Sequence, residues 1–104
     1  MEPSDSGTNT LSPAADGPLE QAAGCLRSLA HPIRLHVVEM LLEGEYTVGE
    51  LAEECGVLHH VMSEHLGLMH DRGLLARERR GRRIYYTVAM PALRGIIDCI
   101  HDHF

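Results

Sequence analysis

The end of the chain gathers groups that ligate metals. Asp98, Cys99, His101, Asp102 and His103 place carboxylate, thiol and imidazole donors close together. On a helix, Cys99 and His103 share a face at i and i+4, and so do Asp98 and His101 at i and i+3. A thiolate with an imidazole suits zinc, copper or nickel. The same composition also suits a solvated helix end. Three cysteines, Cys25, Cys55 and Cys99, form no CxxC or CxC pair. That spacing is no disulfide framework, and a reducing cytoplasm is the default compartment. A second chemistry lies upstream. Five of the nine arginines, Arg77, Arg79, Arg80, Arg82 and Arg83, fall in residues 77–83 with Glu78 as the one acid between them. That is a local balance of +4 in a chain whose formal net charge is −6. Such a concentration matches a polyphosphate backbone. The plainer reading is a solvated hairpin protected from edge pairing by its charge.

Both sets of groups need elements to carry them. Val48, Leu51, Ala52 and Cys55 fall at i, i+3, i+4 and i+7, one apolar face of a short helix. Gly56 follows, where a helix end favours a left-handed residue. Met62, Leu66 and Met69 make a second stripe, predicting a helix over about His59 to Asp71. Two short helices across a glycine turn form the helix-turn-helix layout, whose second helix enters the DNA major groove. With that stripe turned inward, His59, His60, Ser63, Glu64 and Gly67 point out. Ser63 can bond a base or a phosphate, and Glu64 can accept from a cytosine amino group. His59 and His60 can donate to phosphate or purine acceptors, best when protonated. The alternative is that both histidines are simply solvated.

The flanking elements follow from the same patterns. Residues 1–17 are rich in Ser, Pro, Gly, Thr and Asp and are expected to be a disordered tail, leaving 18–104 as one domain. Leu19, Ala22, Ala23, Leu26, Leu29 and Ala30 predict a helix from Pro18 to about residue 30, broken at His31-Pro32. The next helix, about Pro32 to Leu42, is apolar nearly all round and is expected to be central and buried. Leu74–Glu78 and Arg83–Val88 predict two strands, with Arg79-Arg80-Gly81-Arg82 as a hairpin tip whose arginines are free to reach out. A last helix over 91–103 carries Leu93, Ile96, Ile97 and Ile100, with little of its own chain left to cover them. No apolar run reaches membrane-spanning length, and no signal peptide opens the chain. An enzyme reading finds no phosphate-cradling glycine loop, HExxH motif or nucleophile elbow.

The order α-α-α-α-β-β-α with an arginine-loaded hairpin is a mainly α winged helix-turn-helix. The particular words go further. Leu29-Ala30-His31-Pro32-x-Arg34-Leu35, Val48-x-Glu50-Leu51-Ala52, Ser63-x-His65-Leu66, Gly73-Leu74-Leu75 and Gly81-Arg82-x-x-Tyr85-Tyr86 closely resemble the ArsR/SmtB family of bacterial repressors. The resemblance covers about residues 19–103. It implies a homodimer joined through the first and last helices, bound to a palindromic operator in double-stranded DNA and released by an effector. Two of the family's metal sites can be checked by position. Thr47 and Gly49 stand where one needs a CxC-type pair. Met90 and Ala92 stand at the early ligands of the other, and only His103 matches its late ones. Neither standard site is expected, which leaves Asp98, Cys99, His101 and His103 as the candidates for Zn, Ni or Cu. Cys25 and Cys99 lie on the two helices that pack together in such a dimer, which makes them candidates for a thiol or redox signal. Leu58 occupies the place of the family's polar cap, and the recognition slot has no Lys, Arg, Asn or Gln. Affinity is therefore expected to lean on the five arginines of the wing. A winged helix that binds protein rather than DNA is the competing expectation.

Overall fold

The structure is a computed structural model and describes residues 17–104. The expected tail lies outside the described residues, apart from Gly17. Helix α1 (Pro18–Leu29) places a proline in its first turn, with Glu20 near its positive end and Arg27 near its negative end. The His31-Pro32 step ends it. Helix α2 (Pro32–Glu43) is capped by His31, whose Nδ1 accepts the Ile33 N–H at 3.1 Å. Strand β1 (Tyr46–Thr47) leads into α3 (Val48–Cys55). A reciprocal cap starts α3: the Thr47 hydroxyl accepts the Glu50 N–H at 3.2 Å, and the Glu50 carboxylate accepts the Thr47 N–H at 2.8 Å. Gly56, at φ +68°, ends it. Helix α4 (His59–Asp71), strands β2 (Leu75–Arg80) and β3 (Arg83–Val88), and helix α5 (Leu93–His103) complete the chain.

The architecture is the expected winged helix-turn-helix, with two corrections to its sheet. The sheet has three antiparallel strands in the order β1-β3-β2, with Tyr46 opposite Tyr86 and Thr47 opposite Tyr85. Two residues carry no readable alternation, so β1 exists only through its partner strand. The second correction concerns the hairpin. Arg79 and Arg80 belong to β2, and Arg80 pairs with Arg83. The tip is thus Gly81-Arg82, with Gly81 at φ +64°. Helix α5 begins at Leu93 rather than residue 91.

The core is built where α2, α3, α4 and the sheet meet. Val37, Val38, Leu51, Met62, Leu66, Met69 and Leu74 are all fully enclosed. The stripes of α3 and α4 face inward as their spacing predicts. Helix α2 is less enclosed than expected: Ile33, Leu35 and Met40 are only half-buried. Helix α1 reverses expectation. Of its leucines only Leu29 is buried, while Leu19 is 85% and Leu26 54% exposed. The residues it turns inward beside Leu29 are Gly24 and Ser28. Helix α5 is better covered than expected, because Leu93 and Ile97 are buried and the helix packs on α2 of its own chain. Among the described residues, no helix is long and apolar enough to cross a membrane.

Candidate nucleic-acid interface

The buried stripe of α4 decides what the helix shows. With Met62, Leu66 and Met69 enclosed, His59, His60, Ser63 and Glu64 are exposed over its first two turns. Gly67 is half-buried, with open space where a side chain would stand. Leu58 precedes the helix in extended conformation and gives no side-chain cap. The first N–H groups of α4 are therefore left without the usual side-chain acceptor.

Tertiary structure adds a juxtaposition. Thr47, Val48 and Gly49 at the start of α3, His59 at the start of α4, and Arg82, Arg83 and Ile84 of the wing line one open groove of about 280 Å³. The recognition helix and the wing therefore frame a common concavity with two guanidinium groups on its rim. Nothing in the local spacing marks this, since the three segments are distant in sequence.

The five arginines divide by strand alternation. Arg77 and Arg79 lie opposite Tyr86 and Ile84, and with Ile84 they line a second hollow of about 370 Å³. Arg80 is not a free tip residue. Its Nη1 donates to Glu45 at 2.8 Å, its Nη2 to Glu78 at 2.8 Å, and its guanidinium lies 4.5 Å over the Tyr85 ring. Those two carboxylates raise the Arg80 pKa further, and Arg80 in turn lowers that of Glu45. Arg77, Arg79, Arg82 and Arg83 form no ion pair among the described residues, so their charge stays available to an outside anion.

A polar knot seats α4 against the rest of the chain. The Arg34 Nε donates to His65 Nδ1 at 3.0 Å, and its Nη1 donates to the Ser28 carbonyl at 3.2 Å. The His31 and His65 rings lie 4.6 Å apart, tilted by 54°. Burial first, then the charges of Arg34 and His31, hold the His65 pKa below the ordinary histidine value, with Glu64 pulling the other way. At the far end of α4, Arg72 lies against α1. A side chain at Gly24 would meet the Arg72 guanidinium at 2.6 Å.

The C-terminal donors do not converge as a ligand set within one chain. His103 Nδ1 bonds the Cys99 carbonyl oxygen at 2.8 Å and stands 3.9 Å from Cys99 Sγ. His101 instead turns to Glu39 on α2, a hydrogen-bonded contact that sequence spacing did not suggest. Asp98 joins neither. Among the described residues, no group of three or more His, Cys, Asp or Glu side chains is placed to hold a metal ion. These residues thus do not fit a metal centre in the single chain. All three cysteines are free: Cys99 is exposed, while Cys25 and Cys55 are half-buried. Burial, with the nearby Glu54 carboxylate, pushes the Cys55 thiol pKa up, as befits a residue packed on the core.

Comparison with known proteins places this geometry among regulators. Residues 31–77 match the model of a family described as bacterial regulatory protein, arsR family. The chain is 30% identical over 84 residues to the biofilm growth-associated repressor of Xylella fastidiosa, covering 81% of this chain and 74% of that protein. The crystal structure of NolR from Sinorhizobium fredii superposes with a TM-score of 0.81 at 29% identity, covering 93% of this chain and 97% of that one. The homodimeric winged helix-turn-helix DNA-binding domain of a possible ArsR-family regulator from Mycobacterium bovis gives 0.77 at 26% identity, covering 88% and 85%.

Proposed function

The chain belongs to the arsR family of bacterial regulatory proteins, and from that premise we propose that it is a homodimeric repressor binding a palindromic operator. It is a winged helix-turn-helix DNA-binding transcriptional regulator, in a family of regulators rather than enzymes. The competing idea, a winged helix that binds protein alone, has no support among these relatives. A regulator of the bacterial chromosome acts in the cytoplasm.

One observation carries the DNA reading. His59, at the exposed start of α4, lines a single groove with Arg82 and Arg83, which form no ion pair among the described residues. His59, His60, Ser63 and Glu64 supply the side chains for base edges and nearby phosphates. Arg82 and Arg83, with Arg77 and Arg79 behind them, supply charge for the flanking phosphates. Arg80 is a strut that holds the wing to the loop before β1. Of the two effector classes, a thiol-directed signal is the better supported. Cys99 is exposed beside His103, whereas no metal-ligand group converges among the described residues.

A gel shift with duplex from upstream of the chain's own gene tests this at two salt concentrations. Wild-type protein binds, and the Arg82→Ala/Arg83→Ala double variant binds more weakly across sequences. Its salt slope is shallower by roughly one for each phosphate that the missing guanidinium groups no longer neutralise. Absence of binding to any duplex at low salt would sink the reading. Release by polysulfide or peroxide that disappears in Cys99→Ser supports the thiol route. Release by zinc, nickel or copper instead would overturn it.

A further inference from the structure

We propose that His65 is a positioning residue whose protonation unseats the recognition helix and weakens DNA binding; this rests on the DNA-binding role given above to α4. The argument begins with the direction of one hydrogen bond. The Arg34 Nε donates to His65 Nδ1 at 3.0 Å. An arginine carries no acceptor, so that nitrogen must hold a lone pair, and His65 must be the neutral form with its proton on Nε2. A second proton can land only on Nδ1. There it removes the acceptor and sets an imidazolium against a guanidinium.

The surroundings leave that charge with little relief. From α2 the groups facing His65 are Arg34 and, at the helix cap, His31, whose ring lies 4.6 Å away. On α4 itself Glu64 is the neighbouring carboxylate, and it is exposed. Helix α1 presents the Ser28 carbonyl to the same guanidinium at 3.2 Å, and Ser28 is itself buried. The Arg34 fork therefore ties three helices at one point, and the tie to α4 is the one that a proton breaks. His31 is held in place beside His65 because its own Nδ1 accepts the Ile33 N–H at the cap of α2.

The site lies in the middle of α4, directly after Ser63 and Glu64 and little more than a turn beyond His60. A shift there moves the base-facing side chains as a body, since the helix is stiff over so short a span. At the far end of the helix the Arg72 guanidinium lies beside Gly24 of α1. Loss of the Arg34 tie therefore frees the middle of α4 from α2 and, through Arg34, from α1, and leaves the helix to its buried stripe of Met62, Leu66 and Met69. The effect runs opposite to protonation of the exposed His59 and His60, which adds positive charge toward DNA.

The test compares wild type with His65→Asn, whose side-chain oxygen keeps an acceptor near the Nδ1 position but takes no proton. Fluorescence anisotropy on duplex from upstream of the chain's own gene is read at constant ionic strength. Wild type should lose at least about threefold more affinity than His65→Asn as pH falls from about 7.5 to about 5, because His65 takes its proton only below the ordinary histidine value. The contribution of His59 and His60 is common to both chains and cancels in the ratio. His65→Leu, which offers Arg34 nothing, should bind weakly throughout with no such excess, its folding checked by circular dichroism. Parallel profiles for wild type and His65→Asn overturn this inference alone. Absence of wild-type binding at every pH overturns the DNA reading, and this inference with it.

Discussion

Arg80 and Arg82 stand two positions apart, and their surroundings give them different tasks. Arg82 sits at the tip of the wing, on the rim of the groove it shares with His59. Arg80 is turned to the other side, held by Glu45, Glu78 and the face of Tyr85. Alanine at Arg82 should therefore lower DNA affinity and flatten its salt dependence, with no change in the urea midpoint of the free protein. Alanine at Arg80 should move that midpoint downward, by a small amount because the pairs are exposed. The pair also has a sign with pH. Arg80 depresses the Glu45 pKa in the folded state. The contribution of Glu45 is therefore fully present above its unfolded value, about 4.3, and is lost as pH falls through the lower folded value. Glu45→Gln should remove that part of the acid limb, read as urea midpoint against pH. An unchanged acid limb would mean the ion pair does not persist in solution.

At the scale of elements, α4 starts without a cap. Leu58 has the extended conformation of a capping residue, at φ −70° and ψ 153°, and is 66% exposed. Leu58→Ser supplies the missing acceptor without disturbing the core, and should stabilise the chain by about 0.5–1 kcal/mol in urea denaturation. Thr47→Ala should do the reverse on α3, costing about 1 kcal/mol, because it dismantles the reciprocal cap with Glu50. These two helices were also the most legible in the sequence. Their stripes repeat within a few residues, and such local spacing reads directly as a buried face. The capping box of α3 was equally visible in Thr47-x-x-Glu50, but a search for apolar stripes passes over it. Strand β1 was not legible, since Tyr46 and Thr47 become a strand only by lying along β3. The knot between Arg34 and His65 spans 31 positions and leaves no local trace. The same holds for the contact of His101 with Glu39. Of the site, spacing showed which faces of α4 turn outward, but not that Arg80 is tied down or that His59 and Arg82 share one hollow.

At the scale of the whole molecule, α1 poses the remaining question. Periodicity shows that a helix has an apolar side, but not what that side meets, and here only its Leu29 end enters the core of the described chain. Leu19 is 85% and Leu26 54% exposed, while Gly24 and Ser28 face inward. In a two-fold interface each leucine is buried twice, once on each protomer. Fully burying a leucine contributes roughly 1.5–3 kcal/mol, so two per protomer are enough to matter to a dimer. Leu19→Glu/Leu26→Glu replaces that face with like charges that meet across the same axis. Because neither leucine supports the core of its own chain, the helical circular dichroism should be unchanged. Sedimentation equilibrium should instead show the wild-type dimer converted to monomer at micromolar concentration. DNA affinity should fall with it, since two recognition helices set one helical turn apart bind two half-sites together, whereas a monomer reads only one. A variant that stays dimeric would place the interface on another face, and one that binds its operator equally well as a monomer would remove two-fold reading from the mechanism.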